Sequence, residues 1–533
     1  MRIKNYCYFT IILFIIIVNS GYSATYYVKN SGNDNASGVS DINAWATITK
    51  VNEFAKNRNF SDGDVICFKR GDIFDDATIG YDGDFISWGN IDGLTFQDYG
   101  LGEKPKFISE RKIAINISGS GISNLTIKNI YLYGSSSTKV VWLNKINGVT
   151  IDGVDGDGRG SGSPIRPDGV IKLLNVVGDV TIRNCNLHHW GPKINPTKGV
   201  EDTIALYIWT GLGKRSPTSI QIYDNIVHSI NSDAVHIGNF QGQPGNTCNI
   251  YNNEFYNCGE NAIDMKASTY VNIHNNTMYR EDFGLGGTGG PGALIIIHTS
   301  TSFPGVKCDE VSLYDNQFLG NNDGVYTLGG IYFTTGHEDT YIYGNRFENV
   351  SPALRTSYGN HLIERNIFVA NQPLNIDSSL KTFIRQETTA VVKNNTFYAS
   401  QNSNITTGIW HRNNWESSYS NNIIYLNSVS SSSYPLFVNK GTGNLPEINY
   451  NNLYNPLHQN IVYWNGTEYE KDGISAWRTA VDAGALSCDP LFSDVQSGNF
   501  SLLKSSCSIL PNRILGAIYI SSPEELDLKN VNK

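Results

Sequence analysis

Glu260-Asn-Ala-Ile-Asp264-Met-Lys266-Ala-Ser-Thr-Tyr-Val-Asn-Ile-His-Asn-Asn276-Thr-Met-Tyr279 decides how this chain folds. Two short strands are written in it. Ala262 to Lys266 alternates apolar and charged residues. Val271 to His274 alternates again before the pair Asn275-Asn276, with Met278 two residues on. A period of two places one set of side chains on each face of a sheet.

The second half of this stretch recurs as the frame apolar-x-x-Asn-x-apolar. Copies end in Ile222…Asn225…Val227, Ile250…Asn253…Phe255, Ile273…Asn276…Met278 and Leu313…Asn316…Phe318. They continue as Ile342…Asn345…Phe347, Ile363…Asn366…Phe368, Val392…Asn395…Phe397 and Tyr419…Asn422…Ile424, with a weaker copy at Asn452. The asparagine steps are 28, 23, 40, 29, 21, 29, 27 and 30 residues. Looser copies lie at 125–132, 149–154 and 180–187. A period in the twenties with two or three strands per unit predicts a stacked solenoid. The expected fold is all-β, a right-handed parallel β-helix with an N-terminal capping helix. Coils stacked about 4.8 Å apart would pair each backbone group with the coil above and below. The repeated Asn would tolerate the left-handed turn at its corner and bond its copies in neighbouring coils. It is read as structural.

A repeat architecture absorbs the 533 residues in one body, read as 24–520, with 24–75 as its cap and a loose tail at 521–533. Trp45 to Arg58 has helical spacing, with Ile48, Val51, Phe54 and Ala55 on one face. Such a helix would cover the open end of the first coil. Asp489-Pro-Leu-Phe492 and Gly498 to Leu502 read as closing strands of the stack. The Gly-rich run Glu281 to Gly292 reads as a surface loop. Asp152 to Gly169 reads as a turn, its Asp155-Gly-Asp157-Gly lacking a full calcium-loop pattern.

Charged residues are 17% of the chain and the net charge is −9, so no basic surplus points to nucleic acid. Arg2 and Lys4, the apolar run Ile11 to Val18, and the small residues Gly21 and Ser23 read as a signal peptide cut after Ser23. That predicts a secreted or periplasmic protein with no later membrane span. Removal of Cys7 leaves seven cysteines, an odd number, with Cys67 expected as a buried free thiol.

The strand before each Asn corner supplies a candidate site. Its inward column reads Leu206, Val235, Ile263, Leu294, Ile331, Leu354 and Ile409. The outward neighbours read Tyr207, His236, Asp264, Ile295, Tyr332, Arg355 and Trp410, and the next outward column adds Trp209, Gly238, Lys266 and Ile297. A slip of one residue would bring out His298 instead. Aromatic rings beside charged groups on a flat sheet suit a sugar polymer, so Tyr207, Trp209, Tyr332, Trp410 and His298 are expected to bind substrate. Asp202, Asp233 and Glu260 precede the same strand in successive coils, about 5–8 Å apart. Carboxylates that close repel unless a cation intervenes, which makes them the expected Ca2+ ligands.

Tyr26-Tyr-Val28, Ser31-Gly-Asn-Asp34, Trp45-Ala-Thr-Ile48, Gly63-Asp64 and Asp489-Pro-Leu-Phe492 resemble the ends of secreted bacterial right-handed parallel β-helix proteins. Within that group, Lys266 to Met278 is similar to the Lys-Ser segment of the chondroitinase B and alginate lyase family. The resemblance implies a lysine base at Lys266. Arg355-Thr-Ser-Tyr-Gly359-Asn360 partly resembles that family's Arg-His-Gly-Asn segment, though Arg355 lies about three coils on rather than one. The chain also looks like the calcium-dependent pectate lyases, without their run of neighbouring aspartates.

The leading expectation is therefore a monomeric polysaccharide lyase acting by β-elimination on a uronic-acid polymer. Lys266 would be the base, Arg355 or Ca2+ the cation at the carboxylate, and Asp264 and His236 further catalytic groups. Asp264, two residues from Lys266 on one face, would hold that lysine charged. The alternatives are a glycoside hydrolase with paired carboxylates and a non-catalytic glycan-binding protein.

Overall fold

The structure is a computed structural model. It describes residues 23–75, 77–80, 88–108, 113–119, 121–134, 139–158, 169–190, 203–281, 293–300, 302–320, 329–374, 381–412, 416–428, 432–439, 444–510 and 513–517. The expected signal segment up to residue 22, most of the loop 281–292 and the tail from 521 lie outside these.

Three long sheets of 16, 14 and 15 strands run the length of the molecule. Sheet 1 contains Thr269–His274, sheet 2 contains Thr277–Tyr279, and sheet 3 contains Ile263–Lys266. Away from the two ends, each coil contributes one strand to each sheet, and the coil-to-coil pairings are parallel, as in Val235↔Ile263 and Ile263↔Ile295. This is the parallel β-helix that the repeat predicts. Alternation explains the interior: Ile263, Met265, Val271, Ile273 and Met278 are fully buried, and their counterparts in other coils form one continuous core.

The asparagine frame becomes a ladder of buried amides. Asn225, Asn253, Asn276, Asn316, Asn345, Asn366, Asn395 and Asn422 each donate from Nδ2 to the next Oδ1 at 2.9–3.1 Å. Two details differ from expectation. The left-handed residue is the one before the ladder Asn, as at Asn252 (φ 55°), Asn275 (φ 56°) and Asn394 (φ 57°). That bend turns the following side chain inward. The last rung is Asn451, not Asn452, and it meets Asp482 Oδ2 at 3.4 Å.

Helix α1 (Ile48–Lys56) covers the first coil, as predicted. Thr47 Oγ1 caps it by accepting from Lys50 N at 3.1 Å. Its Asn52 Nδ2 donates to Thr78 O at 2.7 Å, tying the cap to the stack. At the far end, Asn460–Trp464 pairs antiparallel with Thr467–Glu470. Helix α2 (Ile474–Ala480) then buries Trp477 against Trp464 and Tyr469. The expected closing strands lie elsewhere. Phe492–Asp494 and Asn499–Leu502 form a separate antiparallel hairpin on the outside of sheet 2. Phe500 covers Ile367 and Val369 there, because those two apolar side chains would otherwise face water.

Asp155–Asp157 is a strand of sheet 2 rather than a turn, and Asp155 pairs with Lys104 at 2.8 Å. Cys488 and Cys507 form a disulfide. Cys67, Cys185, Cys248, Cys258 and Cys308 are buried free thiols, which bears out the expectation for Cys67. No helix of the described residues is long and apolar enough to cross a membrane.

Candidate functional site

The outer face of sheet 3 carries the expected residues in a ladder set by strand register. One column runs Lys172, Tyr207, His236, Asp264, Ile296, Tyr332, Arg355, Arg385, Trp410. Two residues on, a second column runs Trp209, Gly238, Lys266, His298. The sequence register was one residue off at a single coil. Ile295 and Ile297 point inward and are fully buried, and His298 stands beside Lys266. That strand is apolar on both faces, so alternation gave no signal to fix its register.

Asp264 is the centre of the site. Its Oδ1 accepts from His298 Nε2 at 2.9 Å, and its Oδ2 lies 3.0 Å from Lys266 Nζ and 3.3 Å from His236 Nδ1. His236 Nδ1 is also 3.3 Å from Asp233 Oδ2. Asp233 Oδ1 accepts from the backbone and side-chain nitrogens of Asn261 at 3.1 and 2.9 Å. Neighbouring strands on a parallel sheet place these groups side by side, which is why three coils can build one cluster.

The cluster is covered rather than laid on an open face. His236 and Asp264 are only 5% and 6% exposed. The rings of Tyr207 and Trp209 lie 5.1 and 5.8 Å from the His236 ring, and Phe303 packs on Trp209 at 4.8 Å. Trp209 can lie flat there because residue 238 is glycine. A Cβ on Gly238 would come within 2.1 Å of the indole. Lys266 and His298 remain about a quarter exposed and form the accessible rim.

Electrostatics divide the cluster. Burial pushes the Asp264 carboxyl up, but the hydrogen bond from His298 and the neighbouring positive charge of Lys266 outweigh it, so it is held below the usual carboxylate range. Burial lowers His236 to about 4 despite the pull of Asp264, which leaves it neutral at neutral pH. An ionised Asp264 only accepts, so His298 carries its proton on Nε2 and presents Nδ1 as the basic nitrogen.

Of the three expected calcium ligands, only Asp233 and Glu260 are among the described residues. Asp202 lies outside the described residues. Glu260 Oε2 accepts from Ser232 at 2.9 Å. Asp233 converges instead with His236 and Asp264, their ligand atoms within 4.8 Å of one another. Two oxygens and a nitrogen beside an ammonium suit Ca2+ poorly, since Ca2+ takes six to eight oxygens.

Arg355 is not part of this cluster. It lies three strands from Asp264 along the column, about 14 Å at the usual strand spacing. Its Nε lies 3.7 Å from Glu387, and its guanidinium sits over Tyr332, 5.9 Å from the ring centre. Trp410 lies against Arg385 and Arg412. Sequence reasoning missed Arg385, Glu387, Arg412 and Phe303. The coil holding Thr382–Gln386 was skipped, although the ladder step from Asn366 to Asn395 requires a sheet 3 strand between them. A cavity of about 680 Å³ lies elsewhere, between the turn at Asp315, Arg346 and Arg365 and the hairpin at Gly498 and Phe500.

No protein-family description matches the sequence, and no curated protein sequence matches it. Solved structures do resemble it in fold. The GH136 lacto-N-biosidase from Eubacterium ramulus is 13% identical with a TM-score of 0.41, covering 65% of this chain and 64% of that one. The mannuronan C-5 epimerase A-module from Azotobacter vinelandii is 12% identical with a TM-score of 0.38, covering 83% and 95%. An alginate lyase from Paenibacillus is 14% identical with a TM-score of 0.37, covering 56% and 92%.

Proposed function

We propose that this protein is a polysaccharide lyase that cleaves a uronic-acid polymer by β-elimination, with Asp264, Lys266 and His298 as its working groups. One observation carries the reading: a single buried carboxylate holds a histidine at 2.9 Å and a lysine at 3.0 Å, both at the accessible rim. Elimination needs a base for the proton at C5 and a cation for the adjacent carboxylate. His298 is the base, oriented by Asp264 so that Nδ1 faces substrate. Lys266 is the cation. This reverses the role expected from sequence, because Lys266 Nζ is already engaged by Asp264 Oδ2 at 3.0 Å.

In the step, the C5 proton passes to His298 Nδ1. The C5–H electron pair forms the C4=C5 double bond. The C4–O bond breaks, and the departing oxygen takes a proton from water. Tyr207 and Trp209 offer ring surface for the sugar beside the cluster. No step is routed through calcium; unchanged activity after chelation is the expected outcome.

The test is incubation of the full chain with alginate, pectate and chondroitin. Unsaturated, ultraviolet-absorbing ends support the reading. Reducing ends without a double bond would favour a hydrolase using Asp233 and Asp264. Binding without cleavage would leave a glycan-binding protein. Export from the cell belongs to the same proposal, and detection of the protein in culture medium or periplasm checks it.

A further inference from the structure

Three guanidinium groups converge on one carboxylate farther along sheet 3. Glu387 Oε1 accepts from Arg385 Nε and Nη2 at 3.1 and 2.9 Å and from Arg412 Nη1 at 2.9 Å. Its Oε2 accepts from Ser357 Oγ at 3.3 Å and lies 3.7 Å from Arg355 Nε, too far for a hydrogen bond. Among the described residues, three cations face one anion. Among the described residues, Glu387 is the only carboxylate within ion-pair distance of any of the three. Arg355 and Arg412 are more than a third exposed, while Arg385 and Glu387 are largely covered. The covered pair thus acts as a brace, and the side chains of Arg355 and Arg412 remain partly open to solvent. Arg412 and Arg385 lie against Trp410, at 4.9 and 5.5 Å from its ring.

A planar fork of N–H donors matches the paired oxygens of a carboxylate or a sulfate ester. Arg355 and Arg385 stand three and four strands from Asp264, about 14 and 19 Å along the stack. The strand spacing is close to the length of one sugar ring, so an extended glycan along the axis meets about one strand per unit. We propose that Arg355, Arg385 and Arg412 bind an anionic substituent of a glycan, three to five units from the Asp264 cluster. This deepens the reading of sheet 3 as a polysaccharide face and rests on it.

The test uses the full chain and three variants: Arg355→Gln with Arg412→Gln, the same pair changed to Lys, and Trp209→Ala as a control at the other end. Affinity is measured against alginate, carboxyl-reduced alginate and dextran sulfate. The double Gln variant should lose at least about tenfold in affinity for the anionic polymer that binds best, as expected for losing charge-assisted forks. The double Lys variant, which keeps charge and folds like the parent by circular dichroism, should recover only part of that. Preference for alginate identifies a carboxylate, and preference for dextran sulfate a sulfate ester. Equal affinity of parent and folded double variants for every polymer overturns the inference, as does binding of the carboxyl-reduced polymer as tight as that of both anionic polymers. Arginine-dependent binding without unsaturated products sinks the lyase reading alone. Unsaturated products with no arginine dependence sink this inference alone.

Discussion

Lys266 Nζ lies 3.0 Å from Asp264 Oδ2, and the two residues stand two apart on one strand with their side chains on the same face. Asp264 thus engages the lysine through one carboxylate oxygen and His298 through the other. His298→Gln should lower turnover by about 10²–10⁴-fold with KM little changed, the usual cost of losing a general base. Lys266→Ala should raise KM as well, because it removes the charge that meets the substrate carboxylate. Initial rates of unsaturated-product formation separate the two.

Gly238→Ala tests the aromatic cover. The added Cβ would stand 2.1 Å from the Trp209 ring, so the indole must leave its seat against Phe303 and His236. Overpacking of this kind costs about 1–3 kcal/mol. The expected result is a raised KM and a lowered Tm.

Acid should weaken the fold before it reaches the carboxylates. Burial lowers His236 to about 4, His337 to about 3 and His361 to about 4. Their folded values lie below the unfolded one, so the unfolded chain binds protons that the fold refuses. Stability contributed by the neutral rings is present above about pH 6.5 and is lost as pH falls toward 4. The depressed carboxyl of Asp264 adds its loss only below the ordinary carboxylate range. Thermal melts between pH 7 and pH 4 should fall by several degrees. His337→Leu should flatten that slope, since both ring nitrogens of His337 are buried without a hydrogen bond.

The amide ladder gives a stability prediction. Asn345 Oδ1 accepts from Asn316 Nδ2, and its own Nδ2 donates to Asn366 Oδ1, both at 3.0 Å. Asn345→Leu removes the acceptor of both the backbone and the side-chain N–H of Asn316, at about 1–3 kcal/mol for each unsatisfied group, while Asn366 Oδ1 keeps the backbone N–H of residue 345. Asn345→Asp keeps the acceptor but faces Asn366 Oδ1 with another oxygen. Urea unfolding should rank the parent above both variants.

Much of the architecture was legible because two signals agreed. Alternation around Ile263 and Ile273 set the faces, and the spaced asparagines set the coils. The closing hairpin was misread because Phe492 and Phe500 are apolar for another reason: they cover Ile367 and Val369 from outside. At the site, Asp264 and Lys266 could be placed on one face from their spacing. That His298 joins them could not be settled, because Leu294 to Ile297 is apolar throughout. Arg355 carried the right chemistry in the wrong place. Its distance from Lys266 is countable in coils, but Arg385 sits in a coil that alternation alone does not reveal.

The file of amides repeats at separations from 21 to 40 residues, yet every rung has the same geometry. Length is therefore absorbed outside the file, in the excursions between strands. Excising all residues from one rung to the next should let the remaining rungs close up, whereas removing half that length would set a strand against a corner. Architecture of this kind separates what keeps the protein standing from what it touches, so a recipient of altered loops inherits an undisturbed spine.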